Sequence, residues 1–84
     1  MYIMSTRQFS FSYGSPQVNH FVDVTEVVYK NHVVNNKVKF DATEELDSYF
    51  GDPVVGLPKQ IIVRNSDGEV VATFWQRQDI EFSL

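Results

Sequence analysis

The stretch "FVDVTEVVYKNHVV" (residues 21–34) decides the fold class. Asp23 and Glu26 stand at capping-box spacing, and Val24, Val27 and Val28 fall at i, i+3 and i+4, as on one face of a helix. The run is also rich in valine, whose branched Cβ favours extended chain. Balancing the two, we expect extended chain to Val22, a short helical turn over about Val24–Lys30 and a strand around His32–Val34. On that reading the fold is β-rich. One full helix over 23–34 would instead make an α+β roll.

The neighbouring segments argue for strands. In "RQFSFSYG", Phe9, Phe11 and Tyr13 alternate with Gln8, Ser10 and Ser12, and Gly14-Ser15-Pro16 ends the run, as in a half-buried strand. Residues 1–6 either lengthen this strand through Tyr2–Met4 or stay disordered. Asn35-Asn36 is a turn signal, and in "KVKF" Val38 and Phe40 point inward while Lys37 and Lys39 point out. "KQIIVRNSDGEVVATFWQ" (59–76) reads as a hairpin around Asp67-Gly68. "DIEFSL" (79–84) alternates Ile80, Phe82 and Leu84 against polar residues. With Val70, Ala72 and Phe74 apolar beside Trp75, residues 70–75 are expected to be buried on both faces.

"DATEELDSYFGDP" (41–53) carries helix grammar. Asp41 is a good N-cap with Glu44 at N3, and Ala42, Leu46, Tyr49 and Phe50 form one apolar stripe. A short helix or pair of turns over about Thr43–Phe50 follows. Gly51 takes a left-handed C-terminal position, Asp52-Pro53 stops the helix, and Gly56 and Pro58 shape the crossing into a strand led by Lys59. The predicted architecture is a single all-β domain over 1–84: a small β-sandwich of five to seven strands with one or two short helical turns.

Bulk properties narrow the function classes. The 84 residues are 43% hydrophobic and 14% aromatic, enough for one compact core. A net charge of −4 with scattered basic residues disfavours phosphate-backbone binding, so no nucleic-acid partner is expected. The absence of cysteine removes thiol chemistry and fits a reducing, intracellular compartment such as the cytoplasm. The sequence has neither signal-peptide pattern nor membrane-length apolar run, so no membrane insertion is expected. His20 and His32 lack companions at ligand spacing, "NSDG" lacks the oxygen ligands of a calcium loop, and no serine sits in a nucleophile elbow. We therefore expect no enzyme activity, no cofactor and no metal.

Two features point to interactions. Asp41, Glu44, Glu45, Asp47 and Asp52 form an acidic run with no basic residue among them, either a solvated face or a docking surface for a basic partner. Trp75, if it faces outward, could anchor a protein interface or stack on a sugar ring. The long N-terminal strand carries one basic residue, Arg7, and no proline before Pro16, so it is either an open edge, a template for pairing and self-association, or a strand internal to the sheet.

Taken together, "YG" (13–14), "VDVT" (22–25), "FGDP" (50–53), Gly56 and "KQIIVR" (59–64) resemble the small domain of unknown function at the C-terminus of a mitochondrial J-domain protein, seen also in freestanding form. The similarity runs from about Phe11 to Leu84 and rests on the order of five short motifs. It departs after Arg64, where "NSDG" replaces a longer aromatic strand. These 84 residues contain no J-domain, so no co-chaperone activity carries over, and the family offers no catalytic or ligand residues to transfer. The resemblance implies a compact β-rich accessory module, often linked to membrane-organising or assembly proteins. The expected function is a non-catalytic protein-interaction or assembly module; the alternative is a lectin-like carbohydrate-binding domain.

Overall fold

A computed structural model describes residues 8–84. It contains seven strands, β1 (Ser10–Ser15), β2 (His20–Asp23), β3 (Val33–Val34), β4 (Lys37–Phe40), β5 (Gln60–Arg64), β6 (Val70–Trp75) and β7 (Ile80–Ser83), with helices α1 (Thr25–Asn31) and α2 (Leu46–Phe50). The strands form two antiparallel sheets, β2-β1-β5-β6 and β3-β4-β7. The molecule is thus a strand-rich, two-sheet protein with two short helices. The proposed extension of the first strand through Tyr2–Met4 lies outside the described residues.

Period-2 alternation builds the core. Phe11 and Tyr13 of β1 align with Val63 and Ile61 of β5, and these with Ala72 and Phe74 of β6. Val38 and Phe40 do the same from β4, opposite Phe82 and Ile80. Phe11, Tyr13, Val24, Val28, Val38, Phe40, Leu46, Ile61, Val63 and Ile80 form one buried cluster. The ring of Phe82 joins the two sheets, lying edge-on to Phe9 at 5.0 Å, Phe11 at 6.2 Å and Phe74 at 6.4 Å.

The deciding stretch resolves as strand, helix, strand. α1 is only seven residues long and buries Val28, while β3 pairs back on β4 through Asn35 and Asn36, both at positive φ. The capping box expected of Asp23 and Glu26 does not form. Val24 holds the N-cap position without a side-chain bond, because Asp23 is still in β2 and its Oδ1 accepts from the Thr25 N–H at 2.9 Å. The reciprocal box is found at Asp41 instead. Asp41 Oδ1 accepts from the Thr43 N–H at 2.8 Å and Glu44 Oε1 from the Asp41 N–H at 2.7 Å. It closes an isolated turn, and the chain is extended at Glu45 (φ −92°, ψ 96°) before α2 begins. That break leaves Ala42 exposed, outside the stripe that Leu46 anchors.

Topology settles one choice that the sequence left open and corrects one expectation. β1 lies between β2 and β5 rather than at an edge, because both its neighbours fold back onto it as antiparallel partners. The larger sheet has β2 at one edge and β6 at the other, and β6 is not buried on both faces. Val70, Val71 and Trp75 are 53%, 47% and 42% exposed.

Gly14 and Gly51 are fixed for different reasons. A Cβ at Gly14 would overlap the His20 carbonyl oxygen and lie 2.6 Å from the Phe21 Cα, so glycine permits the tight β1–β2 approach. Gly51 has φ 80° and ψ 170°, a region open essentially to glycine alone rather than the left-handed helical one expected. Gly14→Ala is expected to lower stability by more than about 3 kcal/mol. Gly51→Val, whose Cβ meets no neighbour, is expected to cost about 1–3 kcal/mol from backbone strain alone. Urea titration checks both; a wild-type midpoint for Gly14→Ala would refute the close approach.

Candidate functional site

The chemistry-bearing side chains gather at the corner where α2, the 51–58 crossing and the start of β5 meet the end of β6. Lys59 continues the inward parity of Ile61 and Val63, so its side chain enters the protein and is only 4% exposed. An ammonium there needs oxygen ligands. It has three: the Leu57 carbonyl at 3.0 Å, Asp52 Oδ1 at 2.8 Å and Asp47 Oδ2 at 3.7 Å.

The cluster extends through Asp47. Its Oδ1 accepts from the buried Tyr13 hydroxyl at 2.6 Å. Burial, reinforced by that hydrogen bond and the Asp47 charge, pushes the Tyr13 phenol far above its usual range. Tyr13 therefore stays protonated and donates. Gln76 closes the ring: its Oε1 accepts from the Lys59 N–H at 2.6 Å, and its own N–H donates to the Lys59 carbonyl at 2.9 Å. A cleft of about 500 Å³ opens outside this ring, bounded by Asp52, Leu57, Lys59, Trp75 and Arg77. Arg77 turns the chain at φ 65°, and no carboxylate among the described residues lies within 4 Å of its guanidinium.

The acidic run divides in two. Asp47 and Asp52 point to Lys59. Asp41 and Glu44 bond their own turn, where hydrogen bonds from Thr43 hold the Asp41 carboxyl below its usual range. Glu44 also accepts from the Tyr49 hydroxyl, and this bond raises the Tyr49 phenol. Glu45 is exposed at the start of α2. Trp75 is at the cleft rim, away from Asp41 and Glu44. Of the loop residues, Gly51 and Gly56 both turn at positive φ, Pro53 is half-buried, and Pro58 lines the cleft beside Gly56.

Sequence reasoning missed Tyr13, Lys59, Gln76 and Arg77. A signal existed for Lys59: it shares parity with Ile61 and Val63, and the run before it offers several carboxylates and no competing cation. Among the described residues no three His, Cys, Asp or Glu side chains converge as metal ligands, and no helix is long and apolar enough to cross a membrane.

His32 makes a second cluster, packed on Phe40 at 4.8 Å, Tyr49 at 4.5 Å and Phe50 at 6.0 Å. Burial lowers its pKa, and the Glu44 charge opposes this only in part. Compared with known proteins, the chain matches no family model, no curated protein and no solved structure.

Two outcomes follow from these environments. Lys59→Met leaves Asp47 and Asp52 facing each other without their cation, and is expected to cost about 2–4 kcal/mol at neutral pH. Adding Asp52→Asn should recover part of that loss, a coupling that a double-mutant cycle in urea measures. For His32 the folded state favours the neutral ring, so the unfolded chain takes up the proton first as pH falls. Its stabilising contribution is present above the ordinary value of about 6.5 and is lost below it. Wild-type stability should therefore decline between about pH 7 and pH 5, and His32→Phe should flatten that decline.

Proposed function

We propose that this chain is a non-catalytic protein-interaction module that works through the open edge and outer face of β6. The observation that carries this reading is the exposure of Val70, Val71 and Trp75 together on one edge strand. Residues 70–75, "VVATFW", include no charge and no proline, the usual devices that keep an edge unpaired. The polar corner supports a non-catalytic role: the Lys59 ammonium is ringed by oxygens and Tyr13 is held protonated, so neither is poised as base or nucleophile. The resemblance to the J-domain protein's C-terminal domain agrees in kind.

A second reading has its own observation. The exposed Trp75 indole borders the cleft beside Asp52 and Arg77, an apolar face with a nearby acceptor and donor, which suits a sugar ring. Photo-crosslinking separates the two. A photoreactive residue at Thr73 should give protein adducts in native-host extract, while the same residue at Lys39, exposed on β4, should give none. A glycan array should stay blank. Equal adducts at both positions would refute the β6 reading, and glycan binding lost in Trp75→Ala would establish the second.

A further inference from the structure

We infer that the cleft beside Trp75 and Arg77 takes the C-terminal end of a partner chain, with the terminal carboxylate on the Arg77 guanidinium and the last, apolar side chain on the Trp75 indole. This rests on the protein-interaction reading and adds to it a recognition pocket at the end of β6.

The backbone shapes the pocket. Gln76 is held inward: its N–H donates to the Lys59 carbonyl at 2.9 Å, its Oε1 accepts from the Lys59 N–H at 2.6 Å, and its Nε2 lies 3.5 Å from the Tyr13 hydroxyl. Trp75 and Arg77, on either side of it, both border the cleft. Arg77 does so at φ 65°. Every other described residue at positive φ is an asparagine or a glycine. A larger side chain is uncommon in that region, because its Cβ crowds the following carbonyl. Strain of this kind gathers where a fold holds a side chain for a ligand.

Charge selects the occupant. The Lys59 ammonium is 4% exposed and engaged inside the protein, 2.8 Å from Asp52 Oδ1 and 3.7 Å from Asp47 Oδ2. Arg77 has no carboxylate of the described residues within 4 Å, so it is the cation the cleft presents to a ligand. A neutral sugar would leave that guanidinium unmatched, whereas a carboxylate fits its fork with two parallel hydrogen bonds. Asp52 is 32% exposed, and no described residue bonds its second oxygen. A ligand must therefore bring an N–H donor for Asp52 close to its own carboxylate. At a chain end the carboxylate and the last amide N–H flank one Cα, while the carboxylate of an internal Asp or Glu stands further off along its side chain. The same Cα carries the last side chain, and the 42% exposed Trp75 gives it an apolar surface.

Trp75 is the single tryptophan, so its fluorescence reports on the cleft directly. The purified full chain is titrated to millimolar concentration with N-acetylated glycyl-glycyl-leucine bearing a free carboxylate. A saturable change is expected. The C-terminal amide of the same peptide should bind about tenfold more weakly or worse, because it forfeits a charge-assisted hydrogen bond. An amide-capped peptide with an internal aspartate should do no better. Arg77→Asn removes the guanidinium but suits the positive φ, so it should keep the wild-type circular dichroism and lose about tenfold in affinity for the free acid. No saturable change, or equal binding of acid and amide, or binding indifferent to Arg77→Asn, would overturn the inference. Protein adducts from Thr73 without peptide binding would overturn it while leaving the β6 reading in place. Peptide binding without such adducts would support the chain-end pocket and overturn the β6 edge.

Discussion

Placing a lysine ammonium inside an 84-residue protein sets the terms for much of this structure. Lys59 sits on the core-facing parity of β5, and desolvating its charge costs several kcal/mol unless oxygens replace the water. Those oxygens come from three places: Asp47 on α2, Asp52 after the Gly51 corner, and the Leu57 carbonyl. The short helix, the glycine-only corner and the crossing into β5 must therefore all close on one nitrogen. Asp47 also takes the Tyr13 hydroxyl, so the same requirement ties α2 to the middle of the larger sheet. Gln76 adds the end of β6 through both its backbone and its side chain.

Around this corner the rest of the packing is apolar and less demanding. Phe82 bridges the sheets, and the Phe40, Tyr49, Phe50 and His32 rings fill the space under α2. Such contacts tolerate substitution better than a buried charge does, because dispersion is spread over many atoms while an ion pair is lost with one. The polar corner thus fixes geometry, and the aromatic cluster supplies bulk burial.

The division between inner and outer surfaces sets which strands are guarded by charge and which are not. Charged side chains guard much of the smaller sheet: Lys37 and Lys39 flank Glu81, and the bond from Lys37 holds the Glu81 carboxyl below its usual range. β6 has no such guard between Glu69 and Arg77, and its alternate backbone groups point outward. An open, uncharged edge is also a template for unwanted pairing, so its persistence in a small domain is more readily understood if it is occupied in the working state.

Local grammar was legible wherever a single element sets its own conformation. The alternation in 9–13, 37–40 and 80–84, the Asn35-Asn36 and Asp67-Gly68 turns, and the short helix in 21–34 follow from side-chain period and backbone sterics alone. Strand order does not, since alternation marks a buried face without naming its neighbours. For that reason β1 read equally as an edge or an internal strand and β6 as buried on both faces, and the structure puts β1 inside the sheet and β6 at an edge. The acidic run likewise read as one surface, because carboxylates show their number in sequence but not their direction. The sequence by itself determined a β-rich chain with its turns and inward faces. Only the tertiary structure decided that Asp47 and Asp52 turn inward to Lys59 and that β6 lies open, since charge pairing and edge status depend on residues brought together from distant parts of the chain.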